Sequence, residues 1–421
     1  ETLEVPVMGR SNLNIKMRSE FTELDEVVVI GYGVQKKKVV TGAISTVEAE
    51  DIQKIPVLRA EQAMQGRTAG VQVTQMSGQP GESPTVRIRG AGTTGDADPL
   101  YIVDGMPVSN IDYLNPNDIE SIDVLKDAAS AAIYGARAAN GVVLITTISG
   151  GKGEPGKMNL TYSGYYGIQN VSKTIPMLDA EQYMMLQNEG ARNANQTEPF
   201  DLNEIPDHDT YWQDELFQSN VPIMNHDIDV TGGNEVSSYA ASLSYFSQQG
   251  IIGGEKSQFD RITARFNSQH KVKEWFTFGN NFAYSNIERK GIASNTSFNG
   301  AFSSALNLDP LTPVYETDPD ELSTPPYSNN PVVTDENGNV YGISRLVSGE
   351  VVNPLALMEI QNGNTRVDKI VGNIFGELKI IEGLKFRTNF GIDLAYVNYD
   401  SYTPLFFLNG AQNNVEKTSV Y

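Results

Sequence analysis

The sequence has no cysteine among its 421 residues and only three histidines, His208, His226 and His270. The absence of cysteine excludes disulfide bonds, thiolate metal sites and cysteine nucleophiles. The histidines do not stand at the spacing of metal ligands, no serine occupies a nucleophile elbow, and no two carboxylates stand out as a hydrolytic pair. We therefore predict no catalytic residue, no metal site and no cofactor.

Basic residues are also scarce, with 31 lysines and arginines against 52 aspartates and glutamates and a net charge of -21. A nucleic-acid-binding face needs a basic patch. The only local cluster, Lys36, Lys37 and Lys38, is short and isolated, which is typical of a solvated linker. We predict no nucleic-acid partner.

Long apolar runs are missing as well. No stretch of about 18 apolar residues occurs, so the sequence predicts no transmembrane helix. This does not exclude a membrane protein, because barrel strands need only about 9–11 residues of alternating pattern and leave a weak hydropathy signal. A hydrophobic content of 39% and a charged content of 20% are typical of a folded chain.

The chain is organised around residues 115–147. Residues 119–125 alternate between apolar and polar side chains and predict a short strand. Asp127 is placed to N-cap a short alanine-rich helix, which Gly135 would end. A second strand is predicted over residues 142–147. This strand–helix–strand unit contains almost no side chain that could carry out chemistry.

Residues 24–34 combine acidic residues, an apolar run and two glycines. Four consecutive β-branched residues favour an extended backbone. A polar, lysine-rich stretch follows in place of a partner strand joined by a tight turn. Two interpretations stay open: a buried strand, or an extended segment that pairs with the sheet edge of another protein. The residues concerned are Asp25, Glu26, Val27, Val28, Val29 and Ile30.

The remainder of residues 35–150 predicts a small mixed α+β domain of normal size. A short helix is expected over residues 60–65, and the last of the strands ends in an Asp-Gly turn at residues 104–105. The predicted strands before the organising stretch are 39–47, 70–75, 85–90 and 100–105.

Two short motifs imitate ligand sites. Residues 90–95 match the dinucleotide pattern G-x-G-x-x-G, but a turn follows where a helix should begin, so we do not predict a nucleotide site. Residues 335–339 resemble part of a calcium loop, but the glycine comes two positions early and no acid closes the loop. We expect a hairpin turn at Asn337 and Gly338.

The pattern changes after a glycine-rich hinge at residues 151–156. Residues 157–421 contain long strands whose apolar positions alternate with polar ones, as at Ile262, Ala264 and Phe266. These strands exceed the usual length of about 5–6 residues. Alternation alone fits either a β-sandwich or a barrel. Short connections at 248–258 and 270–275 against long ones at 169–224 and 288–365 favour an outer-membrane barrel with six or seven strands in this sequence.

The motifs taken together resemble one family, the SusC/RagA-type TonB-dependent transporters of Bacteroidetes outer membranes. The matching pieces are residues 25–33, 87–90, 99–105 and 115–142. The resemblance is specific over residues 25–150, whereas the barrel portion matches in style. It implies that residues 1–23 end an N-terminal carboxypeptidase-regulatory-like extension, that 24–34 are the TonB box, that 35–150 are the plug, and that 157–421 are the first part of the barrel.

The same resemblance implies a function and a set of partners. We expect an importer, not an enzyme, that takes up oligosaccharides or peptides with energy from TonB, which binds residues 25–30 on the periplasmic side. A SusD-like lipoprotein would lie on the extracellular side, in a dimer of transporter–lipoprotein pairs embedded in outer-membrane lipid. Substrate is expected to meet a plug loop at Thr93, Thr94, Asp96 and Asp98.

Barrels with a plug in this class need about 22 strands. We therefore expect this chain to be the N-terminal portion of a longer protein, because an open sheet edge is not tolerated in lipid. The alternative that stays open is a soluble, secreted, β-rich carbohydrate-binding module.

Overall fold

The structure is a computed structural model. It describes residues 27–30, 33–36, 44–53, 58–150, 156–204, 208–293, 300–347 and 349–421. Predictions for residues 1–23, for Asp25 and Glu26, and for most of the 151–156 hinge lie outside these residues.

The segment predicted to bind TonB does have a partner strand, and our expectation that none follows was wrong. Strand β1 (Val27–Ile30) pairs antiparallel with β2 (Gly33–Lys36). The register pairs Ile30 with Gly33, so only two residues separate the strands. The valines and isoleucine favour extended backbone, and nothing in the following residues prevents a hairpin. A partner's strand would have to add to this hairpin or replace β2.

The plug domain follows in the order β3 (Ile44–Glu48), α1 (Ala49–Gln53), a 3-10 helix (Ala60–Met64), β4 (Val71–Thr74), β5 (Thr85–Ile88), β6 (Leu100–Val103), β7 (Met106–Val108), a 3-10 helix (Pro116–Asp118), β8 (Ile119–Leu125), α2 (Ala128–Ala131), a 3-10 helix (Ala132–Ala138) and β9 (Val142–Thr147). The predicted strand at 39–47 is confirmed over residues 44–47, within β3, and its first part, 39–43, lies outside the described residues.

The organising stretch forms the centre of the plug. Five strands lie in the order β3-β8-β9-β6-β7, in which β6 and β9 run parallel and the other neighbours antiparallel. Ile122 and Val124 of β8 pack in the main core, whereas Leu125 packs in a second cluster together with Ala131 and Leu144. Strands β8 and β9 are therefore covered on both sides, as a central layer must be.

The helix between β8 and β9 begins as predicted and ends differently. Asp127 Oδ1 accepts a hydrogen bond from the Ser130 backbone N–H at 2.8 Å, which is the expected N-cap. Gly135 does not close the unit, because the chain continues as a 3-10 helix on either side of it. The φ of +66° at Gly135 interrupts the helix in a conformation that other residues rarely adopt.

The second part of the chain contains β10 (Met158–Gln169), α3 (Ala180–Asn193), α4 (Trp212–Leu216), β11 (Val221–Gly233), β12 (Ser237–Gly250), β13 (Gly254–Lys273), β14 (Phe276–Lys290), α5 (Ala301–Asn307), β15 (Tyr315–Glu316), α6 (Pro319–Leu322), a 3-10 helix (Tyr327–Asn329), β16 (Val340–Tyr341), α7 (Pro354–Glu359), β17 (Asn362–Ile381), β18 (Leu384–Thr403), β19 (Phe406–Leu408), β20 (Ala411–Asn413) and β21 (Lys417–Val420).

Eight of these strands form one antiparallel sheet, in the order β10-β11-β12-β13-β14-β17-β18-β21. We call it the wall sheet. The seven long strands and the short β21 exceed the six or seven that we expected. Within the described residues the sheet does not close on itself, since β10 and β21 do not pair. The predicted fold, an α+β plug followed by antiparallel barrel strands, is confirmed.

The connections of the wall sheet differ in length between the two ends of its strands. Three short turns lie at one end, which we call the short-turn edge; they are residues 234–236, 274–275 and 382–383. The long segments 170–220 and 291–361 lie at the opposite end, the long-loop edge. Both predicted short connections are present, but one of them, 251–253, lies at the long-loop edge beside the long segments.

The long segments are not irregular loops but a folded layer. One apolar cluster joins Trp212 and Leu216 of α4 to Ala301 and Ala305 of α5, and another surrounds Ala356 of α7. Asp179 caps α3, because its Oδ1 accepts a hydrogen bond from the Gln182 backbone N–H at 2.8 Å. Among the described residues, no helix combines the length and the apolarity needed to cross a membrane.

Candidate functional site

The wall sheet buries its polar face and exposes its apolar face, which is the reverse of the burial in a soluble β-sandwich. On β13 the polar side chains of Arg265 and Asn267 are buried, whereas the apolar side chains of Ile262 and Phe266 are 44% and 45% exposed. The buried face is the one that meets the plug. A sandwich would bury its apolar face, so this burial argues against the sandwich form of the alternative, the β-rich carbohydrate-binding module.

Among the described residues, the most buried ion pair joins the plug to the wall. Arg265 Nη2 lies 3.0 Å from Asp118 Oδ1, and the two side chains are 3% and 1% exposed. Arg265 Nη1 also donates to the Ile148 carbonyl at 2.6 Å. Asn267 Nδ2 donates to Thr147 Oγ1 at 2.7 Å. These bonds hold both ends of the unit formed by β8, α2 and β9.

The chain that leads into β8 is held by another wall strand, β11, which is separated from β13 by β12. Asp227 of β11 accepts hydrogen bonds from the side-chain amides of Asn115 and Asn117, the latter at 2.7 Å. Asn115 also caps the 3-10 helix before β8, since its Oδ1 accepts from the Asn117 backbone N–H. One carboxylate on the wall therefore fixes the turn that leads into the central strand.

The hairpin of β6 and β7 is bound by the last two long wall strands. Asp104 and Gly105 form its turn with φ of +50° and +81°, the conformation of a type I′ turn. Asn373 of β17 donates to the Asp104 carbonyl at 3.0 Å. The Asp104 carboxylate accepts from the backbone N–H and the hydroxyl of Thr147. Desolvation raises the pKa of Asp104, although these two bonds oppose the shift.

The far end of that hairpin is bound in the same way. Lys369 Nζ of β17 lies 2.9 Å from Asn110 Oδ1 and 3.4 Å from Asp393 on β18. The Ser109 backbone N–H donates to Asp393 Oδ2 at 3.0 Å. Position 369 is closer than position 373 to the long-loop edge, because β17 runs from that edge to the short-turn edge. Ser109 and Asn110 therefore mark the side of the plug that faces the folded loop layer.

A polar cavity of about 660 Å³ lies on this side of the plug. Its volume is within the range of ligand pockets, about 300–1,000 Å³. Four acidic side chains and one basic side chain contribute to its lining, together with Ser109 and Asn110. The ionisable residues that line it are Glu61, Asp96, Asp98, Tyr101, Asp112 and Arg137.

Three of the cavity's four acids already have partners. Asp112 pairs with the buried Arg59 at 2.5 Å, Asp98 pairs with Arg87, and Asp96 Oδ1 accepts from the Asp98 backbone N–H at 2.9 Å. Glu61 is different, because its side chain is 4% exposed and its Oε2 has no hydrogen-bond partner. Burial raises the pKa of Glu61, and nearby Arg59 lowers it by a smaller amount.

The predicted plug-loop residues separate into two groups. Asp96 and Asp98 line the cavity, whereas Thr93 and Thr94 are exposed and are not among its lining residues. Thr93 Oγ1 instead accepts from the Gly95 backbone N–H at 3.1 Å. No helix begins between residues 90 and 99, so the structure gives no support to a nucleotide site there.

Sequence reasoning missed Glu61, Asp112 and the buried wall arginine at position 265 as functional candidates. Alternation along β13 placed Arg261 and Arg265 on one face, which was the available signal. Nothing local identifies Glu61, since a glutamate in a short helical turn is ordinarily solvated. In the part of the chain that the structure describes, no three His, Asp or Glu side chains are placed to hold a metal ion.

The fold and the plug–wall contacts define a class: a plug domain seated against the polar face of a barrel-type sheet. The family described as TonB-dependent Receptor Plug Domain matches residues 36–142. TonB-dependent receptor P26 of Formosa agariphila is 34% identical over 95% of this chain and 38% of its own length. TonB-dependent receptor SusC of Bacteroides thetaiotaomicron is 30% identical over 93% of this chain and 39% of its own.

Solved structures agree with these matches. The structure of the RagAB peptide importer in the open-open state superposes with a TM-score of 0.70 at 29% identity, over 90% of this chain and 43% of that one. The chain belongs to the SusC/RagA-type TonB-dependent receptor family. It spans about two fifths of the length of the curated relatives it matches.

Proposed function

We propose that the whole protein imports oligosaccharides or peptides across the outer membrane, with energy from TonB and together with a SusD-like surface lipoprotein. The observation that carries the proposal is the polar interface between plug and wall. A plug held by hydrogen bonds and one deeply buried ion pair can be released as a unit by force applied to the segment before it, and it then leaves a polar passage.

TonB would bind residues 25–30 by adding a strand, since main-chain hydrogen bonds give affinity in this mode of recognition. Strand β1 supplies the extended backbone, and it pairs with β2 to form a two-stranded ribbon. In this proposal the strand of TonB adds to the free side of that ribbon. The folded layer at the long-loop edge is the surface on which a lipoprotein partner would rest. In this proposal two transporter–lipoprotein pairs associate as a dimer.

The relatives leave the cargo class open between two chemistries. One solved relative is described as a peptide importer, and a curated relative is SusC. Both classes are rich in hydrogen-bonding groups, which the polar cavity on the plug would match.

The test uses the full-length gene in the bacterium that produces it. Deletion of residues 25–30 should abolish uptake of labelled oligosaccharides and peptides while leaving the surface level unchanged. Val28→Pro should act like the deletion, because proline removes a backbone N–H from the strand. Val28→Thr is the matched control, since it keeps both the N–H and the β-branched shape. Normal uptake in the deletion strain at a normal surface level would contradict the proposal.

A further inference from the structure

We propose that the cavity on the plug binds a cationic nitrogen group of the cargo, an ammonium or a guanidinium, and that the Glu61 carboxylate is its counter-ion. The inference rests on the proposed transport function and narrows it to basic peptides. Four observations about the cavity carry it.

The first observation is an unpartnered buried carboxylate. Glu61 lines the cavity, its side chain is 4% exposed, and its Oε2 makes no hydrogen bond. A buried polar atom without a partner costs free energy comparable to a lost hydrogen bond. A ligand that donates hydrogen bonds to Oε2 removes that cost, and a cationic donor does so most strongly.

The second observation concerns the protein cation that acts most strongly on Glu61. That cation is Arg59, and it is already paired with Asp112 and also donates to the Gly81 carbonyl. Arg261 of the wall has a smaller effect on Glu61 and donates to the Asp112 carbonyl at 3.0 Å. Neither arginine makes a hydrogen bond to Glu61 Oε2.

The third observation is the sign of the cavity's charge. Acidic side chains at positions 61, 96, 98 and 112 outnumber the single basic lining residue, Arg137. Tyr101 lines the same space, and an aromatic ring is a favourable neighbour for a cation. Asp98 and Asp112 are already paired with Arg87 and Arg59, so Glu61 and Asp96 against Arg137 leave an excess of one acidic group, which disfavours an anionic ligand such as an acidic peptide.

The fourth observation distinguishes an organic cation from a metal ion. A metal site needs several hard oxygen ligands at short range, and no three His, Asp or Glu side chains among the described residues are so placed. The cavity is also far larger than one ion, at about 660 Å³. It lies beside Ser109 and Asn110, on the side of the plug that faces the loop layer, where arriving cargo would reach it.

The experiment uses the purified full-length transporter and two synthetic pentapeptides, both acetylated and amidated at their ends. One has a central lysine between alanines, and the other has norleucine in its place, so the ammonium group is the only charge that differs. Isothermal titration calorimetry at pH 7.5 should show that the lysine peptide binds about tenfold more tightly than the norleucine peptide. A factor of about ten is expected for one charge-assisted hydrogen bond.

Glu61→Gln should reduce this preference to less than about threefold, because the amide keeps the shape and loses the charge. Glu82→Gln is the matched control: Glu82 lies in the same region, accepts from Ser77 and is not a lining residue, so the preference should persist. Should the glutamine variant fail to fold, Glu61→Asp retains the charge and should retain a preference for lysine.

Three results would overturn the inference: equal binding of the two peptides by the wild type, an unchanged preference in Glu61→Gln, or no binding of either peptide. None of these touches the proposed transport function, which depends on the loss of uptake when residues 25–30 are deleted. Uptake of oligosaccharides that requires residues 25–30, with no peptide binding, would leave the importer standing and remove the cation site.

Discussion

Arg265 in the wall sheet and Asp118 at the head of β8 form an ion pair at 3.0 Å with both side chains almost completely enclosed. Asp118 stands next to β8, which lies beside β9 within the plug sheet and has five of its seven residues buried. The pair therefore joins the centre of one domain to the centre of the other. Its removal should affect the seating of the whole plug, not one loop.

The first prediction concerns this pair. Asp118→Asn or Arg265→Gln should each destabilise the full-length protein by about 3–5 kcal/mol, because either change leaves an unpaired charge or a broken network in a buried site. The double variant Asp118→Leu with Arg265→Met should be less destabilised than either single one. Thermal unfolding in detergent and the rate of plug proteolysis measure the effect.

The control for that series is the exposed pair of Arg192 and Glu198, whose nitrogen and oxygen lie 2.9 Å apart. Arg192→Gln should change neither thermal unfolding nor proteolysis, since water screens the charges. A single variant of Asp118 or Arg265 that behaves like Arg192→Gln would show that the buried pair does not hold the plug.

The second prediction compares two glycines of the plug with nearly equal backbone angles. Gly66 and Gly81 have φ of +72° and +70°, so alanine at either position incurs the same backbone strain. A Cβ at Gly66 meets nothing within 4 Å, whereas one at Gly81 would lie 1.9 Å from the ring of Phe259 on β13.

Gly81→Ala should therefore destabilise the protein by roughly 1–3 kcal/mol more than Gly66→Ala, the usual cost of overpacking. The difference in unfolding midpoint between the two variants gives the measurement. Equal midpoints would mean that the plug does not contact the wall at Phe259.

The third prediction concerns pH. The pKa of Asp104 is raised in the folded state, so folding favours its protonated form. The stabilisation is fully present below the unfolded pKa of about 3.9, and it is lost as pH rises through the higher folded pKa. The backbone around Thr147 should consequently open more readily at neutral pH than at a pH near the unfolded pKa of about 3.9.

Asp104→Asn should remove this dependence, because asparagine is uncharged, can accept from the Thr147 backbone N–H and tolerates the left-handed conformation at φ +50°. Amide hydrogen exchange over residues 142–147, corrected for the intrinsic effect of pH, measures the opening. If the opening of residues 142–147 depends on pH equally in the wild type and in Asp104→Asn, another group causes the dependence.

Sequence periodicity was sufficient for the wall strands, because side chains alternate with a period of two wherever a strand separates two environments. Ile262 and Arg265 are three positions apart, so the alternation alone assigns them to opposite faces. The cap at Asp127 and the type I′ turn at Asp104 and Gly105 were also predictable, because each depends on residues within a few positions of one another.

Contacts between distant positions were not predictable. Nothing near Glu61 in the sequence indicates that its carboxylate is enclosed, since the enclosing residues include Tyr101 and Asp112. The hairpin of β1 with β2 was missed for a different reason. The lysines after Val34 suggested a solvated linker, and lysine is also common on exposed strand edges.

The polar interface between plug and wall joins residues that are far apart in the chain, and this affects the order of folding. Asp118 and Arg265 are 147 residues apart in the chain, and Asp104 and Asn373 are 269 apart. Closing such spans has an entropic cost that no local contact offsets, so these bonds form late. The plug domain, whose own sheet needs only residues 44–147, can fold before β11 to β18 are in place. Seating the plug then requires Asp227, Arg265 and Lys369, which stand on three different wall strands, β11, β13 and β17.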